Sequence, residues 1–109
     1  MSRDEQAIEA EIKDKGLTGK RITPEMLDTE IVGEEYHVFT GSCLTVCCLT
    51  LQNGFTVTGE SACASPENFN VEIGQKIARS NAREKMWPLL GFRLRDQLNA
   101  QKEQNRTRT

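Results

Sequence analysis

The chain reads as an α+β domain. A three-stranded antiparallel β-meander is packed on one face by two C-terminal helices and preceded by two short N-terminal helices. Three observations predict it. The stretch "CLTVCCLTLQNGFTVTGES", residues 43–61, is two β-rich runs joined by Asn53-Gly54, a pair with ready access to the positive φ of a hairpin turn. Residues 71–86 carry helical spacing, with Phe69, Ile73 and Ile77 at i,i+4 beside a small-residue stripe of Gly74, Ala78 and Ala82. Thr23-Pro24-Glu25 supplies an N-cap, a first-turn proline and an early acid, which together start a helix.

The 109 residues suit one domain. The expected organisation is an N-terminal helix and flexible connector over 1–21, a single α+β domain over 22–100 and a disordered polar tail over 101–109. Helix formers from Asp4 to Lys15 carry a thin apolar stripe of Ala7, Ile8 and Ile12, and Gly16 stops them. In the second helix Leu27 and Ile31 share a face, and Gly33 is expected to close it. A first strand is expected from Glu35 to Phe39, with a turn at Gly41-Ser42. Because "CLTVCCLTLQ" is apolar on both faces, it reads as the central strand.

A two-residue type I′ turn at Asn53-Gly54, with positive φ at both residues, pairs Thr50 with Val57, Cys48 with Gly59 and Cys47 with Glu60. That register puts Leu44, Val46, Cys48, Phe55, Val57 and Cys63 on the core side. Glu60 then lies on the other, semi-polar face beside Thr56 and Thr58, where Leu49, Leu51 and Cys47 would form an exposed patch suited to docking if nothing covered it. Further along, Ser65-Pro66-Glu67 marks one short turn and Asn70 caps the long helix. Trp87-Pro88 is expected to interrupt that helix, and a last one to run from Leu89 to about Gln101 with Leu90, Leu94 and Leu98 on one stripe.

Several function classes are disfavoured. A net charge of −2 with both signs interspersed gives no footprint for nucleic acid or an anionic membrane. No stretch approaches the ~18 consecutive apolar residues of a membrane helix, so a soluble, cytosolic protein is expected. Four cysteines raise the question of zinc or disulfides. Cys43 and Cys47 lie about 13 Å apart along a strand and Cys48 points the other way, so these three cannot converge on one metal. Reduced, buried thiols are the plain reading, with no metal and no cofactor.

The single histidine, His37, has no positional signature linking it to a nucleophile, so no catalytic residues are assigned. Glu60 reads as a carboxylate at a strand end that bonds the backbone of the "ASPEN" turn, and only secondarily as a general base. Arg79 and Arg83, at i,i+4 with Lys76 nearby, form a small basic ridge whose plain reading is a solvated face. Trp87 and Phe92 read as a core pair at a helix junction before they read as a stacking platform.

"ITPEMLDTEI", "TVCCLTLQNGFTVTGESACASPENFN" and "EIGQKIARSNAREKMWPLLGFRL" together resemble a small tailed-phage family, named after gene product 49 of phage N4 and gene 66 of phage Sf6. The resemblance covers about residues 22–98. It implies a bacteriophage origin, expression in the host bacterial cytoplasm and an accessory, non-virion role, and it brings no catalytic residue to any position.

Two functions follow as expectations. The first is a non-enzymatic accessory protein that binds a host protein, or itself, through the sheet face around Glu60 and the last helix. The second is an oligomeric binder of a nucleotide signal, using Arg79, Arg83, Trp87 and the helix start near Asn68 and Asn70, where aromatic stacking and arginine–phosphate contacts suit the ligand. Candidate binding residues are therefore Glu60, Asn68, Asn70, Arg79, Arg83 and Trp87.

Overall fold

The computed structural model describes residues 4–106. Its elements run α1 (Glu5–Asp14), α2 (Pro24–Glu30), β1 (Ile31–Val38), β2 (Leu44–Leu51), β3 (Thr56–Ala62), a 3₁₀ turn (Pro66–Asn68), α3 (Val71–Glu84) and α4 (Met86–Arg106). The strands form one antiparallel sheet in the order β1-β2-β3, so the α+β meander is as the sequence predicts.

Local side chains start the helices where the sequence places them. The Asp4 carboxylate accepts from the Ala7 amide at 3.2 Å, Thr23 Oγ1 from Met26 at 3.2 Å and Asn70 Oδ1 from Ile73 at 3.0 Å. Each satisfies a backbone N–H that the first helical turn leaves unpaired. Two boundaries move. Gly33 does not close α2: β1 begins at Ile31, and Gly33 sits beside a bulge in that strand. The helix break falls at Lys85, so Trp87 and Pro88 lie in the first turn of α4, where proline's missing donor costs nothing. Helical structure then continues through Arg106.

The hairpin register is one residue away from the expected one. Gln52, Asn53 and Gly54 form a three-residue loop: the Leu51 amide donates to Phe55 O at 2.8 Å and the Gly54 amide to Leu51 O at 2.9 Å. Gly54 alone has positive φ, at 89°, whereas a type I′ turn would require it of Asn53 as well. Leu49 therefore faces Val57, Cys47 faces Gly59, and Val46 faces Glu60. Because side chains alternate, this single step exchanges the faces of β2. Thr45, Cys47, Leu49 and Leu51 are buried with Val57, while Leu44, Val46 and Cys48 turn to the opposite face and Phe55 is exposed.

The buried side is covered mainly by α3, and Leu27 of α2, with Met86 and Leu90 of α4, completes the same core. The small stripe of α3, Gly74, Ala78 and Ala82, lies on β2 and β3, leaving Ile73 and Ile77 outside at 57% and 47% exposure. The approach is close enough that a methyl group at Gly59 would collide with the Ala82 amide nitrogen and the Ala78 carbonyl oxygen. A methyl at Gly74 would come to 3.0 Å from Thr45 Oγ1. The second C-terminal helix takes a smaller share: α4 joins this core through Met86 and Leu90, beside Leu27 of α2, then projects, since its 21 residues span roughly 30 Å. The radius of gyration is accordingly 18.0 Å, against ~13 Å for a compact chain of about 100 residues.

Gly59→Ala should destabilise the fold by about 3 kcal/mol or more in urea denaturation, because the added methyl meets main-chain atoms that cannot rotate away. Thr45 Oγ1 is buried with no hydrogen-bond partner among the described residues. Thr45→Val should therefore raise stability by about 1 kcal/mol in the same measurement, by removing an unsatisfied hydroxyl at nearly constant volume.

Candidate functional site

The sheet face opposite α3 carries the most suggestive surface. On β3 every residue pointing that way, Thr56, Thr58, Glu60 and Ala62, is exposed, so no element of the described chain covers it. The central strand nonetheless presents Leu44, Val46 and Cys48 there. From β1, His37 stands opposite Val46, and Phe39, whose amide donates to Leu44 O, follows it. The His37 and Phe39 rings meet edge to face with centroids 4.5 Å apart, and Phe39 is 47% exposed. Glu35 and Glu60 flank this strip on the two outer strands. The result is an apolar centre with an acidic rim, a pattern suited to a macromolecular contact.

Glu60 thus lies on the open face as expected, but its neighbours there are Val46, Thr58 and Ala62 rather than Cys47, Leu49 and Leu51. Its carboxylate does not hold the turn after β3. The Glu60 main-chain carbonyl instead accepts from Asn81 Nδ2 at 2.8 Å, which ties β3 to α3.

The other candidate residues are spread along α3 and do not form one pocket. Asn70 caps the N-terminus of α3 and lines a cavity of about 100 Å³ with Asn68, Phe69, Cys43 and Cys63. Thirteen residues further along, at the opposite end of α3, Arg83 is nearly enclosed, its side chain only 14% exposed. It donates to Asp28 at 3.0 Å, to Pro24 O at 3.1 Å and to Glu5, joining α3 to α2 and α1. Arg79 donates to Glu34 of β1 at 2.7 Å. These acids and hydrogen bonds raise both guanidinium pKa values despite burial. The surrounding depression, about 540 Å³, is lined by Asp4, Glu5 and Asp28 as well as Lys76, Arg79 and Arg83. An anion entering it would compete with carboxylates already in place. Trp87 is half-buried against the core beside Ile8, Ile12 and Ile22, whereas Phe92 is 72% exposed, so the two rings make no platform.

The groove between α2 and α4 had no signature in sequence. It measures about 630 Å³, and Leu90, Leu94, Ile22 and Met26 line it. Glu30 and Arg93 close it with a two-bond fork of 2.9 and 3.1 Å. A second fork, Arg21 to Glu9 at 2.6 and 2.8 Å, holds α1 to the connector before α2. Pairs separated by 63 residues in the chain leave no local pattern to read.

The thiols differ in setting. Cys47 is fully buried, and burial pushes its thiol pKa up; burial also takes the Tyr36 phenol to about 12. Cys48 and His37 share the open face, yet no hydrogen bond joins them. Among the described residues, no group of three or more His, Cys, Asp or Glu side chains could hold a metal ion, and no helix is long and apolar enough to cross a membrane.

The Arg93 fork holds the Glu30 carboxyl below its ordinary value of 4.5. Its contribution to stability is therefore complete above that value and is lost as pH falls through the lower folded pKa. Glu30→Gln should cost about 1 kcal/mol at neutral pH and flatten the loss of stability below pH 4.5, as followed by thermal denaturation across pH. Arg83→Ala should speed amide hydrogen exchange in α1 at least tenfold, because α1 buries no residue of its own.

A family model described as "Phage protein (N4 Gp49/phage Sf6 gene 66) family" matches residues 22–98. The match begins after α1 and ends within α4, so it takes in the sheet, α2 and α3. No curated protein and no solved structure matches the chain.

Proposed function

We propose, for a chain that belongs to the phage protein (N4 Gp49/phage Sf6 gene 66) family, the role of a non-enzymatic accessory factor that docks onto a host protein in the infected bacterium's cytoplasm. The observation that carries this reading is the uncovered sheet face. Leu44, Val46 and Cys48 stand at its centre, the His37–Phe39 ring pair borders it, and Glu35 and Glu60 form its rim. A face of this kind gains free energy at roughly 25 cal/mol per Å² of apolar surface covered by a partner. The acids at its edge select for a basic counterpart and repel an acidic one.

Arg79 and Arg83 support the same choice over a nucleotide ligand, since each is engaged by carboxylates of the chain itself. Trp87 lies in a different cavity from Arg79 and Asn70 in a third.

The test compares the parent chain with Val46→Asp, which places a charge in the middle of the open face without touching the buried one. Wild-type protein immobilised in host lysate should retain a specific protein, and Val46→Asp, at unchanged thermal stability, should lose at least tenfold of that capture. Equal capture by both chains, or none by the wild type, would overturn the reading. Thermal shift with a nucleotide panel decides the competing case: a nucleotide present at 100 times its Kd adds about 2.7 kcal/mol of stability, and such a shift would replace docking with ligand binding.

A further inference from the structure

Two of the four cysteines meet where the hairpin strands end. Leu44 pairs with Ala62 in the last rung of the ladder, and Cys43 and Cys63 are the next residues outward on the two arms. Directly opposed residues of antiparallel strands hold their Cβ atoms about 4.5–5.5 Å apart, so an approach of about 1 Å brings such a pair to the 3.5–4.5 Å of a disulfide. Both residues line the same small cavity, about 100 Å³, under the Phe69–Asn70 entry to α3. Neither is sealed off: both are half-buried, unlike the enclosed Cys47. The Cys63 thiol donates to Ser65 O at 3.3 Å, and interaction with Cys63, together with burial, raises the Cys43 pKa. The remaining thiols have no such geometry. Cys47 and Cys48 are adjacent on one strand and point to opposite faces, and Cys48 lies on the open side of the sheet.

We propose that Cys43 and Cys63 form a redox modification site: a cross-strand dithiol that a hydroperoxide converts to an intramolecular disulfide. In the first step one thiol loses its proton, the thiolate attacks an oxygen of hydrogen peroxide, the O–O bond breaks, and a sulfenic acid forms as hydroxide leaves and takes up that proton to become water. In the second, the other thiolate attacks the sulfenic sulfur, the S–S bond forms, and the oxygen departs as a second water after protonation. The two thiols give up two electrons and two protons, and hydrogen peroxide is reduced to two waters. Because the Cys43 thiol is held above its ordinary range, the reaction runs faster as pH rises toward it. The bond ties the start of β2 to the end of β3, enclosing the whole hairpin and fixing the strand end from which the chain turns into α3. It constrains the unfolded chain and leaves the open sheet face free.

The experiment uses the full chain, reduced and then treated with hydrogen peroxide. Every cysteine lies between Arg21 and Lys76 with no lysine or arginine among them, so trypsin cannot separate them. A glutamyl endopeptidase cutting after Glu60 isolates Cys63 from the other three. Mass spectrometry of the non-reduced digest should show Cys63 linked to Cys43 within one chain, with the link absent in Cys43→Ser and in Cys63→Ser. Denatured, oxidised protein should keep two alkylatable thiols, at Cys47 and Cys48. Its Tm should exceed that of the reduced protein by ~5–15 °C, a shift that dithiothreitol reverses. Free Cys63 after oxidation, a link from Cys63 to Cys47 or Cys48, a link between chains, or an unchanged Tm in fully cross-linked protein would each overturn the proposal.

Discussion

The main-chain contact between α3 and the sheet at Gly59 is the constraint on which the rest of the structure depends. At that point no side chain separates helix from strand, and any Cβ would strike Ala78 and Ala82. Such an approach is possible only if the helix offers its smallest residues, which is why Gly74, Ala78 and Ala82 face inward and Ile73 and Ile77 outward. It also fixes the parity of β3: Val57 turns inward with Gly59, and Glu60 turns away. The three-residue loop then sets Cys47 opposite Gly59 and Leu49 opposite Val57, leaving Val46 on the open face with Glu60. Packing density of this kind gains dispersion energy from many small contacts rather than from a few large apolar side chains.

The helix's position in turn determines what its arginines do. Arg79 and Arg83, one turn apart, reach the strand and the two N-terminal helices that border α3, and each finds a carboxylate there. Exposed ion pairs contribute little, but Arg83 is largely enclosed and also bonds a main-chain carbonyl, so losing it would strand several partners at once. The helix α1 illustrates the consequence. With no buried residue of its own, it is held by Glu5 to Arg83 and Glu9 to Arg21, together with the shallow contact of Ile8 and Ile12 near Trp87. The basic ridge is thus a tie between elements, which makes its chemistry structural before it is available to a ligand.

With every helix that joins the core on one side, the three-stranded sheet has one dry face and one open face. The open face is where the acids and the ring pair gather, because nothing in the chain competes for it. The proposed dithiol lies on the dry side at the strand ends, next to the turn that delivers the chain to α3. The docking surface and the redox site therefore occupy opposite faces of the same hairpin.

Much of this protein is legible without coordinates. Caps at Asp4, Thr23 and Asn70, the short turn at Pro66 and the Gly-Ala stripe of α3 are local signals, and local hydrogen bonding and sterics enforce them. The family resemblance over residues 22–98 was equally visible. The faces of β2 were not, because "LTVCCLTL" is apolar at both parities and Asn53-Gly54 is compatible with loops of either two or three residues. The loop that the folded hairpin adopts, three residues with positive φ at Gly54 and not at Asn53, separates the two registers. The ion pairs joining Arg83 to Glu5 and Asp28, and Arg93 to Glu30, are likewise beyond the chain's own order, since they join residues brought together only when the helices pack. What the sequence by itself determined is the set of elements, which local interactions specify. Which face is buried and which charges pair were decided by tertiary structure, because both depend on contacts between segments far apart in the chain.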